Sequence, residues 1–143
     1  MTVPDDLSFE VGSSPDEGDL KLVGDSLAAF NETDVGPADK KLLAVLVRDG
    51  RGAVVAGLSG STAWGWLYVQ WLWVHETLRG RSVAGRMLEV AEMEAAARGC
   101  HGAHIDTFSP VALRAYLRQG YEPFGALEDF PKGRTRTFLR KRL

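Results

Sequence analysis

The sequence predicts an α/β fold: a central, mixed but mostly antiparallel twisted sheet of about six to seven strands, flanked by helices. Three observations carry that prediction. Short apolar runs joined by tight turn signals fill the first half, which is the pattern of antiparallel hairpins. One strand–loop–helix–strand unit follows, between Trp64 and Phe108. The length, 143 residues, suits one hydrophobic core, so residues 1–143 are read as a single domain.

The elements follow in order. Phe9 to Val11 reads as a short first strand. Leu20, Val23, Leu27 and Phe30 recur at spacings of three and four, which predicts a helix from about Asp16 to Phe30. Val35-Gly36-Pro37 ends it. Leu42–Val47 and Ala53–Leu58 read as strands joined by the hairpin signal Asp49-Gly50-Arg51-Gly52, and Gly60–Ala63 as a second turn. Trp64–His75 is apolar and aromatic almost throughout, broken only by Gln70. A strand without alternation is usually covered on both faces, so it is placed at the sheet centre. Its four tryptophans, Trp64, Trp66, Trp71 and Trp73, read first as core, and otherwise as lining for a cleft.

From Arg81 to Arg98 the period is helical again, with Ala84, Met87, Leu88, Ala91 and Ala95 inward and Arg86, Glu89 and Glu92 outward. Glu94 and Arg98 can pair across one turn, and Gly99 takes the position just past the helix end. Ala103–Phe108 is a further strand. Ser109 caps a second helix that begins with Pro110 and stops near Gly120. Tyr121–Gly125 and Thr135–Leu139 complete the order β–α–β–β–β–α–β–α–β–β.

Composition narrows the function. The one cysteine, Cys100, excludes an internal disulfide, which suits a reducing cytoplasm. Three histidines and a single cysteine, with no C-x-x-C pair, are expected to hold no metal. No apolar run reaches the roughly 20 residues that span a bilayer, and MTVPDDLSFE lacks the basic start and apolar core of a signal peptide. Charge is polarised rather than uniformly basic. Nine acids and one base, Lys21, lie between Met1 and Asp34, while the last dozen residues carry six bases and no acid. That distribution speaks against a nucleic-acid binder. The alternating basic tail, Arg134 to Arg142, is expected to be an exposed edge strand guarded by charge.

Chemistry concentrates where the aromatic strand turns into the long helix. The first N–H groups of a helix have no intrahelical partner and carry partial positive charge, so they suit an anion. Gly80, Ser82, Ala84 and Gly85 keep this end open. Arg79, Arg81 and Arg86 crowd it, although cations oppose the dipole there by roughly 0.3–1 kcal/mol each. A bound polyanion would reverse that cost.

Arg79-Gly80-Arg81-Ser82-Val83-Ala84 resembles the pyrophosphate-binding signature of GNAT acetyltransferases, [QR]-x-x-G-x-[GA], with Ser82 at its first Gly. Leu72-Trp73-Val74 resembles the strand that pairs with the pantetheine arm in that family. The segment from Ser109 to Tyr121 is similar to the family's second motif, a helix with A-x-x-x-Y ending in Gly and an aromatic, with Ser109 where an Asn often stands. The resemblance covers most of the chain and is strongest from Val69 to Gly125.

It implies an N-acetyltransferase in which an amine attacks acetyl-CoA directly, with no acyl-enzyme and no metal. The cofactor contacts it implies are Leu72, Trp73, Val74, Arg79–Gly85, Ser109 and Ala112. Tyr116, one turn after Ala112 and four residues before Gly120, is the expected general acid. Asp106, near a strand's C-terminal end, and His75, whose side-chain type titrates near roughly 6.5, are alternative general bases. Phe30, Asn31 and Glu32 are expected to contact the acceptor, a small-molecule or peptide amine. Homodimers are common in the family.

Two other readings fit parts of the sequence. One is a GNAT-like module that binds acyl-CoA with little or no turnover. The other is a dinucleotide-dependent oxidoreductase, since Gly80–Gly85 approximates G-x-G-x-x-G and Asp106 stands 21 residues after Gly85. The missing middle glycine and the preceding hairpins argue against the second.

Overall fold

The computed structural model describes residues 2–143. The chain divides into two compact units, Met1–Pro37 and Ala38–Leu143. The first contains helix α1, Glu17–Val35. Asp16 caps it by accepting from the Asp19 N–H at 3.0 Å, and Glu17 and Asp19 complement the positive end of its dipole. Gly36, at φ +92°, ends it with an N–H to Glu32 carbonyl bond of 2.9 Å. Phe9–Val11 is not a strand. A strand needs a neighbour, and the six strands present pair only with one another.

The second unit is an α/β layer: β1 Lys41–Arg48, β2 Val54–Ala63, β3 Trp66–Val74, α2 Val83–Ala97, β4 Gly102–Thr107, α3 Pro110–Arg118, β5 Glu122–Glu128 and β6 Thr135–Arg142. The spatial order is β1-β2-β3-β4-β6-β5, so β3 and β4 are the central strands. They form the parallel pair, and every other pair is antiparallel. The β1–β2 turn forms as expected, with Asp49 Oδ1 accepting from the N–H groups of Arg51 and Ala53. The core gathers Leu58, Leu67, Val69, Met87, Leu88, Ile105 and Leu139 where α2 covers the sheet.

Several expectations are corrected. Gly60–Ala63 is not a turn but the second half of β2. The reversal is the two-residue loop Trp64-Gly65, both at positive φ (46° and 77°), which matches the twist of the flanking strands. Gly60 has a different purpose. A Cβ there would lie 1.9 Å from the Tyr68 carbonyl oxygen, because β3 carries an extra residue opposite it. Nor is β3 buried on both faces: Leu67 and Val69 are core, whereas all four tryptophans lie outside it. Aromatics on the outer face conceal the alternation in the sequence.

Glu92, expected outside, is buried. It accepts from Tyr121 Oη at 2.9 Å and Lys141 Nζ at 2.6 Å, and Lys141 also donates to the Gln119 carbonyl at 2.8 Å. This network ties α2, the end of α3 and β6 together. It also shows why β6 is not an edge strand. Its bases reach acids on neighbouring elements, and it lies between β4 and β5. The Glu94–Arg98 pair forms at 3.1 Å, and Arg98 further bonds the Leu42 carbonyl and Thr62.

Among the described residues, no helix is long and apolar enough to cross a membrane.

Candidate active site

The site begins with a break in the sheet. The parallel β3–β4 pairing runs from Trp66↔Gly102 to Val69↔Ile105 and then stops. At that level β3 bulges: Ser59 opposes Trp71 while Gly60 opposes Val69, so Gln70 is the extra residue. Beyond the bulge β3 stays paired with β2, and its other edge has no strand beside it. A wedge opens there, bordered by an edge of Leu72–Val74 that no strand covers and on which an extended ligand could pair, the Val74 carbonyl already accepting from Arg79 Nε.

The wedge is a cleft of about 1200 Å³, lined by residues from Val69 to Arg136. It is therefore built entirely within the second unit. Leu72, Trp73, Val74, Arg79, Gly80, Ser82, Val83, Ala84, Gly85, Ser109 and Ala112 line it, as does Tyr116. So do Asp106 and two of the tryptophans, Trp71 and Trp73.

The N-terminus of α2 forms one rim. Its first backbone bond runs from the Arg86 N–H to the Ser82 carbonyl at 3.1 Å, so the N–H groups of Val83, Ala84 and Gly85 precede the ladder. No side chain caps this end and no acid lies in its first turn. Ser82 sits at φ +62°, ψ 20°, the left-handed conformation that glycine adopts without penalty. That explains why the family signature has Gly there, and this chain holds a serine in the same turn. Gly85 keeps the rim open toward α3, where a Cβ would crowd Gln119 Oε1 at 3.3 Å. The three arginines divide: Arg79 Nε donates to the Val74 carbonyl at 3.3 Å, Arg86 pairs with Glu89 at 2.9 Å, and Arg81 is exposed at the mouth. Orphan donors, an open cradle and a cation without an acid suit a pyrophosphate.

Helix α3 forms the opposite wall. Ser109 caps it: its Oγ accepts from the Ala112 N–H at 3.3 Å, and Pro110 follows at the first turn. Ala112, Ala115, Tyr116 and Gln119 then share the face toward the cleft. Tyr116 is only 5% exposed, and its ring lies 6.4 Å from that of Tyr121. No protein group hydrogen-bonds its hydroxyl. Burial, with the Asp106 charge added, pushes its pKa up to about 12, so it is a phenol donor throughout the neutral range.

Asp106 is half-buried and accepts from Arg136 Nη1 at 2.8 Å. His75 is placed differently. It does not line the cleft. Its Nδ1 caps the single turn Glu76–Leu78, 3.2 Å from the Thr77 N–H and 2.8 Å from Thr77 Oγ1. Arg81 also lies outside the lining, at the helix mouth. Phe30, Asn31 and Glu32 belong to α1 in the first unit. The sequence reading missed Phe108, Ala115, Arg118, Gln119 and Arg136. The α3 residues were available from the helical period through Ala112 and Tyr116. Arg136 was not, because only the β4–β6 register brings it beside Asp106.

A parallel pair that splays over an uncapped helix N-terminus, with a buried phenol inside the gap, is an acyl-transfer architecture. The chain belongs to the acetyltransferase (GNAT) family, whose model matches residues 15–121. It is similar to an acetyltransferase of Agrobacterium fabrum, 42% identical over 136 residues that cover 95% of this chain and 99% of that protein. A crystal structure assigned as an acetyltransferase from Agrobacterium tumefaciens superposes with a TM-score of 0.89 at 42% identity, covering 96% of this chain and all of that one (100%). The blasticidin-S acetyltransferase of Streptomyces morookaense is 36% identical over 94 residues, 65% of this chain and 69% of that protein.

Proposed function

We propose that the chain transfers an acetyl group from acetyl-CoA to a primary amine by direct attack, with Tyr116 as proton donor to the departing sulfur. The observation that carries this reading is Tyr116 itself, a buried phenol with an unpartnered hydroxyl in the same cleft as the uncapped end of α2.

Acetyl-CoA supplies the activated acyl group. Val83, Ala84 and Gly85 offer their N–H groups to its pyrophosphate, with Arg79 and Arg81 adding charge. The free edge of Leu72–Val74 offers backbone pairing to the pantetheine arm and polarises the thioester carbonyl. In the reaction the amine nitrogen forms the new C–N bond, the C–S bond breaks, and the proton lost by nitrogen matches the one gained by sulfur. A thiol ordinarily titrates near about 8.5, so full transfer from a phenol at about 12 runs uphill by an amount on the order of 5 kcal/mol. Tyr116 therefore acts first as a hydrogen-bond donor to the developing thiolate. Asp106, inside the cleft, receives the amine proton through water. His75, outside the lining, is the weaker choice.

The acceptor is a small molecule or peptide amine. A small-molecule acceptor is supported by the blasticidin-S acetyltransferase relative. Phe30, Asn31 and Glu32 belong to this proposal on sequence grounds. The test is release of free CoA from acetyl-CoA across a panel of amines, with acetylated product identified by mass. Product formation in wild type supports the reading. Tight acetyl-CoA binding without product from any amine favours a binding module instead.

A further inference from the structure

We infer that Arg136 reads a carboxylate on the acceptor, so that the preferred acceptor is an amino carboxylate rather than a plain amine; this rests on the transferase reading above. Arg136 is held on several sides. Nη1 donates to Asp106 Oδ1 at 2.8 Å. Its guanidinium lies over the Phe130 ring, 4.0 Å from the centroid, and 5.1 Å from that of Phe108. Arg134 Nη1 donates to the Phe108 carbonyl at 3.3 Å, fastening the β5–β6 hairpin to the loop that starts α3. Arg136 is thus a rigid part of the cleft wall.

Its hydrogen bonding is incomplete. A guanidinium has five N–H donors, and Asp106 is its one protein acceptor. Nε is buried without any partner. Arg136 lines the cleft with 21% of its side chain exposed, so donors other than the buried Nε and the one taken by Asp106 can meet an oxygen that arrives with a ligand. The planar fork suits a carboxylate above other oxygens.

The electrostatics agree. Asp106 alone would attract any ammonium ion, but beside Arg136 it forms a pair of zero net charge. Such a pair favours a zwitterion over a bare cation. The ammonium approaches the Asp106 oxygen not bonded to Arg136, and the carboxylate meets the guanidinium. Trp71 and Trp73 on the other wall leave room for an apolar or planar side chain.

The experiment compares L-phenylalanine with phenethylamine, L-tryptophan with tryptamine, L-lysine with cadaverine and β-alanine with ethylamine. Each is assayed with acetyl-CoA in wild type, Arg136→Lys and Arg136→Gln. We expect the carboxylated member of at least one pair to win by tenfold or more in kcat/KM. Both variants should bring that ratio near one, chiefly by raising KM for the carboxylated acceptor, with the acetyl-CoA Kd unchanged and any change in kcat shared by both members of each pair. Arg136→Lys keeps a cation beside Asp106, so a folding defect confined to Arg136→Gln leaves the test intact. Preference for the decarboxylated member in every pair, no turnover of any carboxylated acceptor, or a preference unchanged in both variants would overturn the inference. Failure of wild type to bind acetyl-CoA would instead overturn the transferase reading.

Discussion

Removing one oxygen atom, the Tyr116 hydroxyl, is expected to separate catalysis from folding in this protein. Tyr116 is buried, yet its hydroxyl has no protein partner, so Tyr116→Phe breaks no hydrogen bond in the free enzyme. Its ring packing beside Tyr121 is kept. Stability should therefore be unchanged or slightly raised. Catalysis should change more. A hydrogen bond to a charged partner contributes about 1.5–3 kcal/mol, and each 1.36 kcal/mol is tenfold in rate. The expected loss in kcat is thus roughly 10- to 150-fold, with little change in the acetyl-CoA Kd because the phosphate and pantetheine contacts lie elsewhere. Steady-state release of CoA with any accepted amine measures it, beside a thermal melt of both proteins. An unchanged kcat would refute the assignment of Tyr116. A fall in kcat accompanied by a matching loss of fold would refute the claim that the hydroxyl is structurally idle.

Other outcomes follow from the same geometry. Gly60→Ala should lower stability by about 1–3 kcal/mol and weaken acetyl-CoA binding, because a Cβ 1.9 Å from the Tyr68 carbonyl cannot coexist with the bulge that opens the wedge; a thermal melt and a binding titration check both. Ser82→Gly should leave stability within about 1 kcal/mol of wild type, since relief of the left-handed serine is offset by a freer unfolded chain. It should also lower the acetyl-CoA Kd, and an unchanged or higher Kd would count against a phosphate site at that turn. Alkali should destabilise the fold. With Tyr116 at about 12 in the native state and its ordinary value of 10.0 in the unfolded chain, the unfolded state loses its proton first. Stability therefore falls as pH rises from about 10 to about 12. Tyr121, raised by burial and by Glu92, acts in the same direction. Ionisation of more than one of the three tyrosines well before tertiary structure is lost would contradict this.

Local signals in the sequence located most of the fold and much of the site. Ser109-Pro110 and Gly99 mark helix ends because capping chemistry is local, and both ends fall where expected. The small residues after Arg79 mark the uncapped start of α2 for the same reason. What was not legible depends on pairing across the sheet. Gly60 looks like a turn residue until Tyr68 is known to lie against it. Glu92 looks solvent-facing until Lys141 and Tyr121, 49 and 29 residues away, close over it. The basic tail looks like an exposed edge until β5 pairs outside β6. Arg136 joined Asp106 only through the β4–β6 register, and neither neighbour in sequence hints at it.

The central claim is that the wedge between β3 and β4 holds acetyl-CoA. A thermal-shift titration with acetyl-CoA, CoA and NAD at fixed protein concentration tests it most directly. A ligand at 100 times its Kd should add about 2.7 kcal/mol, a rise of several degrees or more at this chain length. The account predicts that both CoA species raise the melting temperature and NAD does not. No shift at saturating acetyl-CoA, or an equal shift with NAD, would contradict it.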